Sequence, residues 1–230
     1  FVEYIHQITL LIRERYPRLP VILFGHSMGS LAVRAYLKKY DSLIDMLIVC
    51  GSPSKNPGVI LGRMIAVVQG KLQGERHRSK LLEALSFGSF AARFPKETRK
   101  HAWICTDQLV VKEYEDSRLC GFTFTVDGYR TLFQLMEEAY SGHGWQCTKP
   151  RLPILFLGGA QDPCIGNPRK FAAAIRQLRS QGYQNVRGKL YPGLRHEILN
   201  EPCKKEIYKD IAVYIRRQEQ EIWPVRDGQE

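Results

Sequence analysis

The sequence has 230 residues and a mass of 26.5 kDa, 44% of it apolar and 25% charged, with a formal net charge of +11. That is ordinary globular composition with length enough for a sizeable core, which excludes disorder, a collagen-like repeat and a disulfide-stapled mini-domain. No apolar run approaches the roughly 18 residues that a membrane-spanning helix requires.

The chain opens at Phe1, inside a helical pattern that sets Phe1, Ile5, Ile8 and Ile12 on one face and that Pro17 and Pro20 stop. Pro20 to Phe24 is a short apolar run, as expected of a strand buried on both faces of a parallel sheet. It meets Gly25-His26-Ser27-Met28-Gly29, after which Leu31, Ala35 and Tyr36 mark a helix. Ile44 to Cys50 reads as a second buried strand. From about Pro53 to Pro150 the pattern turns irregular, helical and basic, with apolar stretches at Val59–Val68 and Leu81–Leu85 and a helix through Leu132, Leu135, Met136 and Ala139. Asp127-Gly128, within this region, reads as a turn. Strand–helix alternation resumes at Pro153–Leu157. Asn167 then caps a helix opened by Pro168 and closed by Gly182, and Val186–Tyr191 is a fourth strand. Asn200 is expected to cap the last helix, which carries Ile207, Ile211 and Ile215. This alternation predicts an α/β core made of residues 1–52 and 150–230. An insertion over 53–149, roughly a hundred residues and too long for a crossover loop, is expected to form a helical cap.

The charge is uneven. Between Lys55 and His101 ten Lys and Arg face three Glu. Such an excess attracts nucleic acid, anionic membrane surfaces or acidic ligands, or simply keeps a face soluble. No aromatic-interleaved basic ladder accompanies it, so nucleic acid is not the expected partner and peripheral contact with an anionic membrane remains open. The six cysteines at 50, 105, 120, 147, 164 and 203 show no C-x-x-C pair and no zinc-site spacing. Reduced thiols in a cytoplasmic protein are the simplest account of them.

Chemistry concentrates at three places. G-x-S-x-G is weak by itself, but here Ser27 lies between a buried strand and a helix, where a sharp turn makes the serine project from the sheet. Gly25 and Gly29 are expected to be small because strand and helix approach closely there. The helix start aims amides at the point where an oxyanion would form, and the Met28 backbone N–H is the donor to expect. A serine hydroxyl needs an oriented base, and in this architecture the acid and then the histidine follow later strands. Asp162 follows the strand ending at Leu157, and His196 follows the strand ending at Tyr191. His26 is expected to pack beneath the turn. His6, His77, His101 and His143, with Asp41, Asp45, Asp107, Asp116, Asp127 and Asp210, fall elsewhere in the pattern.

Gly25 to Gly29, Gly158-Gly159-Ala160-Gln161-Asp162-Pro163 and the run Tyr191 to Glu201, with His196 inside P-G-x-x-H-E-I-L-N-E, resemble one group of α/β-hydrolases. It is the monoacylglycerol lipase and lysophospholipase group, whose bacterial members are often labelled serine aminopeptidase-like. The resemblance covers the whole chain, most loosely in the insertion. It implies an α/β-hydrolase fold, with a mostly parallel sheet, flanking helices and a helical cap. It also implies Ser27 as nucleophile, Asp162 as orienting acid, His196 as base and then acid, and no metal or organic cofactor. Family members carry about four strands and a second oxyanion donor before the nucleophile strand, so roughly 60–80 residues, N-terminal strands included, are expected to be missing. The expected function is hydrolysis of carboxylic esters of monoacyl lipids through an acyl-enzyme. A small-ester carboxylesterase or an aminopeptidase with the same triad is the alternative within enzymes. A non-catalytic binding protein of the same fold is the alternative outside them.

Overall fold

The computed structural model describes residues 1–222, so the tail 223–230 of the segment assigned to the core lies outside the described residues. Four parallel strands form one sheet in the order β1 (Ile22–His26), β2 (Met46–Cys50), β3 (Ile154–Gly159) and β4 (Val186–Tyr191). Parallel neighbours require crossovers. Helix α2 (Met28–Tyr40) supplies the first, and α7 (Pro168–Ser180) supplies the last. The central strands β2 and β3 are buried at every position, which explains their unbroken apolar sequences. On one face of the sheet, Leu47, Val49, Ile154 and Phe156 pack with Val33 and Leu37 of α2 and Phe171 and Leu178 of α7. On the other, Met46, Ile48, Leu155 and Leu157 meet Ile207 of α8 (Lys204–Ile222). The cross-sheet sandwich fixes the register, and hence the ends, of the strands.

Several sequence expectations change. The β1 strand is not buried on both faces: it pairs only with β2 among the described residues, and Phe24 is 40% exposed. Its place at the sheet edge, not its composition, decides this. In α1 (Val2–Arg15) the apolar stripe faces outward, with Phe1, Ile8 and Ile12 exposed, while Val2, Ile5 and Thr9 turn inward. Asp127-Gly128 is no turn. It lies in the first turn of α6 (Val126–Tyr140), where the Thr125 hydroxyl accepts from the Gly128 N–H at 3.1 Å and overrides the local Asp-Gly preference. Asn200 closes a short 3-10 turn at Ile198–Asn200 and bonds Glu197, so α8 starts later, at Lys204.

The stretch between β2 and β3 contains α3 (Val59–Gln73), α4 (Lys80–Phe87), α5 (Gln108–Asp116) and α6. Ser79, Asp107 and Thr125 each cap a helix with a side-chain oxygen. Helices α3 and α6 share a core with Leu31, Ala32 and Ala35 of α2. In α3 the small residues Gly62, Ala66 and Gly70 face inward, because a side chain at Gly62 would run into the Phe133 ring. The larger Ile60, Leu61, Met64, Val68 and Leu72 are left exposed.

Gly25 and Gly29 separate in role. A Cβ at Gly25 would lie 2.5 Å from the Gly29 carbonyl oxygen and 2.6 Å from Val33 Cγ2, whereas one at Gly29 meets nothing within 4 Å. Gly25→Ala is expected to destabilise the chain by about 1–3 kcal/mol, read as a lower urea midpoint, and Gly29→Ala by less than Gly25→Ala.

Candidate active site

The turn between β1 and α2 carries Ser27 at φ 52° and ψ −121°. A non-glycine residue in that region is strained, and strain of this kind persists only where its surroundings hold it. The Ser27 N–H donates to the Cys50 carbonyl at 3.0 Å, and its own carbonyl accepts from both the Ser30 N–H at 3.0 Å and the Ser30 hydroxyl. Ser27 is therefore tied to β2 behind it and to α2 ahead. Met28 is the first residue of α2, and the opening amides of a helix lack partners within the helix.

Asp162 and His196 converge. They lie beyond the carboxyl ends of β3 and β4, where open α/β sheets bind ligands. His196 Nδ1 is 2.9 Å from Asp162 Oδ2, and both residues are almost wholly buried. The other carboxylate oxygen of Asp162 accepts from the Cys164 N–H at 2.8 Å. That fixes the carboxylate plane and makes Nδ1 the protonated nitrogen of a neutral imidazole. No hydrogen bond joins the Ser27 hydroxyl to the His196 ring among the described residues. Catalytic hydrogen bonds are often long in unliganded enzymes.

Two histidines meet here. The His26 ring lies 4.7 Å from the His196 ring, and its Nε2 donates to the His196 carbonyl oxygen at 3.2 Å. Burial, followed by the charge of His196, lowers the His26 pKa to about 4, so it stays neutral. It braces the His196 backbone from the residue immediately before Ser27. For His196, burial disfavours the imidazolium, but the charges of Cys164 and Asp162 with their hydrogen bonds raise its pKa well above the usual value. Burial also pushes the Cys164 thiol up.

Sequence reasoning missed what holds the histidine loop from outside the sheet. The His196 N–H donates to the Trp103 carbonyl at 3.3 Å and the Glu197 N–H to the Ile104 carbonyl at 2.8 Å. The neighbouring Arg195, buried, donates to the carbonyls of Ala102 at 2.6 Å and Cys105 at 3.0 Å and to Glu97 at 2.6 Å. Glu201 is fully buried and bridges the two segments, accepting from the Arg195 N–H at 2.8 Å and the Thr106 N–H at 3.0 Å. Residues 102–106 thus form a clamp on the loop that carries His196. Arg195, the basic residue directly before His196, was the available signal.

Comparisons with known proteins bear on the family and the fold. The family profile described as serine aminopeptidase, S33 (Hydrolase_4) matches residues 1–203. The chain is 25% identical over 216 residues to a monoacylglycerol lipase of Mycolicibacterium smegmatis, covering 94% of this chain and 69% of that protein. It is 24% identical to the phospholipase YtpA of Bacillus subtilis, covering 93% and 75%. Among solved structures, a thermostable carboxyl esterase from Bacillus coagulans superposes with a TM-score of 0.83 at 26% identity, covering 94% of this chain and 70% of that one. A monoacylglycerol lipase from Paleococcus ferrophilus, at 20% identity, shares the fold with a TM-score of 0.65, covering 94% and 76%. With its parallel sheet, its strained serine turn and this profile match, the chain belongs to the serine aminopeptidase, S33 family and has the α/β-hydrolase fold.

Proposed function

We propose that the chain is a serine ester hydrolase acting on monoacyl lipids, such as monoacylglycerols or lysophospholipids. The observation that carries the catalytic part is the buried Asp162–His196 hydrogen bond beside the strained Ser27 turn. Ser27 Oγ attacks the ester carbonyl as His196 Nε2 takes its proton, and Asp162 steadies the imidazolium. The Met28 N–H donates to the oxyanion. His196 then passes the proton to the departing alcohol, and water, activated by the same base, releases the fatty acid from the acyl-enzyme. The relatives named lipase, phospholipase and esterase support ester cleavage.

The lipid part rests on α3. Its exposed Met64, Val67 and Val68, with Arg63, Arg130 and Gln134, line an open groove of about 490 Å³. Exposed apolar residues edged by cations suit an acyl chain or an anionic lipid surface. We assign residues 53–149 to the cap that selects the substrate, though α6 also packs on α2. The six cysteines are free, which fits a reducing, cytoplasmic setting, and no helix among the described residues is long and apolar enough to cross a membrane.

A fluorophosphonate probe with peptide mapping tests the nucleophile, and an ester panel tests the acyl preference. An adduct on Ser27 and preference for long-chain over acetyl esters are expected; a strict preference for acetyl esters refutes the lipid reading. The esterase relative makes a small-ester carboxylesterase the second reading. An aminopeptidase would need a free carboxylate for the substrate amine; Glu75, Glu83, Glu97, Glu115, Glu137 and Glu138 are engaged by basic side chains, which disfavours that reading, while Asp107 and Glu113 form no ion pair among the described residues. Because His196 must be neutral to act as base while its surroundings favour the charged form, kcat/KM should rise with pH. Its midpoint should lie above the ordinary histidine value of 6.5, and a midpoint at or below 6.5 contradicts the assignment.

A further inference from the structure

We propose that Asp162, Cys164 and His196 form a binding site for a thiophilic divalent cation, Zn2+ or Cd2+, and that its occupation switches off the proposed acid–base pair. One donor atom from each residue lies within 4.8 Å of the others, and all three side chains are buried. No other such group of three converges among the described residues. The grouping is built into the chain: the Cys164 N–H donates to Asp162 Oδ1 at 2.8 Å, which holds the thiol on the same turn as the carboxylate. Thiolate, imidazole and carboxylate form a mixed donor set suited to zinc, with a fourth position left for water. At zinc bond lengths near 2.0–2.3 Å, tetrahedral donors sit about 3.5 Å apart. The widest edge of the cluster, at most 4.8 Å, therefore needs to contract by about an ångström, and the Nδ1–Oδ2 edge, now 2.9 Å, to open by about half an ångström. The proposed mechanism gives Cys164 no task, so its thiol is available.

The protons balance simply. The cation takes the place of the proton between His196 Nδ1 and Asp162 Oδ2, and the imidazole proton passes to Nε2. Cys164 gives up its thiol proton to solvent, so one proton leaves for each cation bound to a chain with neutral His196, and a second leaves where the imidazole starts charged; nothing is oxidised or reduced. An imidazole metallated at Nδ1 and protonated at Nε2 is a donor toward Ser27 and cannot accept its proton. The inhibition rests on the proposed function, but cation binding does not.

The test uses the full chain, Cd2+ or Zn2+ alone, and two readouts. Binding is followed by calorimetry and by the ultraviolet band of a cadmium–thiolate bond, and turnover is followed on a chromogenic ester. The expected result is one cation per chain, a thiolate band, and inhibition reversed by a chelator. In Cys164→Ser the band should vanish and affinity should fall by roughly tenfold or more. His196→Gln should lose affinity similarly, which keeps the test sound if the cysteine variant does not fold. Replacing Cys120, Cys147 and Cys203 by serine should leave the band in place, and Ser27→Ala should still bind. A wild-type chain that binds no cation overturns the proposal, as does Cys164→Ser with unchanged affinity. A chain that gives the band yet shows no turnover before cation is added refutes the hydrolase reading and leaves the site standing.

Discussion

Replacing Ser27 by alanine should lower ester turnover by roughly ten-thousand- to million-fold while the chain stays folded and still binds substrate. The effect is this large because no other side chain among the described residues is placed to take the role. Ser27 alone sits at the strained turn between β1 and α2, next to the histidine that braces His196. Ser30 is committed to the Ser27 carbonyl and cannot substitute. Alanine costs little in structure, since the hydrogen bonds that hold the turn use the Ser27 backbone. Loss of turnover with an unchanged melting transition is therefore the expected pair of measurements. A variant that keeps more than about a hundredth of the activity would remove Ser27 from the mechanism. Unchanged ligand binding with no wild-type turnover would point instead to a binding protein.

Asp162→Asn should cost roughly ten-thousand-fold in kcat/KM with the fold intact. The Cys164 N–H donates to Asp162 Oδ1, so an amide here must keep its oxygen on that side. Its nitrogen then faces His196 Nδ1 and donates to it. The histidine is forced to carry its proton on Nε2, the nitrogen that must accept from Ser27. The substitution is isosteric, so the loss reports a tautomer rather than a cavity. Equal melting temperatures with a large fall in rate would confirm this, whereas near-normal turnover would exclude Asp162 as the orienting acid.

The sheet was legible because β2 and β3 are short apolar runs, β2 followed by Gly51 and β3 preceded by Pro153, while the mixed Val186–Tyr191 of β4 ends before Pro192. The serine turn was legible for a related reason: G-x-S-x-G needs only its local strand and helix to be recognised. Asp162 and His196 could be placed at strand ends by alternation alone, and their hydrogen bond follows once β3 and β4 pair. What escaped depends on residues distant in sequence. Whether Phe24 is covered depends on which strands flank β1, and the outward turn of Ile8 and Ile12 depends on how α1 meets α2. The first turn of α6 was hidden because Asp-Gly favours a turn locally, and the Thr125 cap overrides it. Cys164 looked unremarkable as one of six unpaired cysteines, and only the tight turn after β3 brings it beside His196.

The clamp of residues 102–106 on the histidine loop sets the order in which the molecule should fail on heating. Those residues belong to the long excursion between β2 and β3, while Asp162 and His196 hang from central and outer strands of the sheet. Local openings in folded proteins draw on regions with less apolar packing before the core separates. Once Arg195 loses the carbonyls of Ala102 and Cys105, the imidazole is free to leave its carboxylate although all four strands remain paired. Inactivation should then precede melting, reversibly over the first few degrees, and amide exchange at Ile104 and Glu197 should quicken before exchange in β2 and β3.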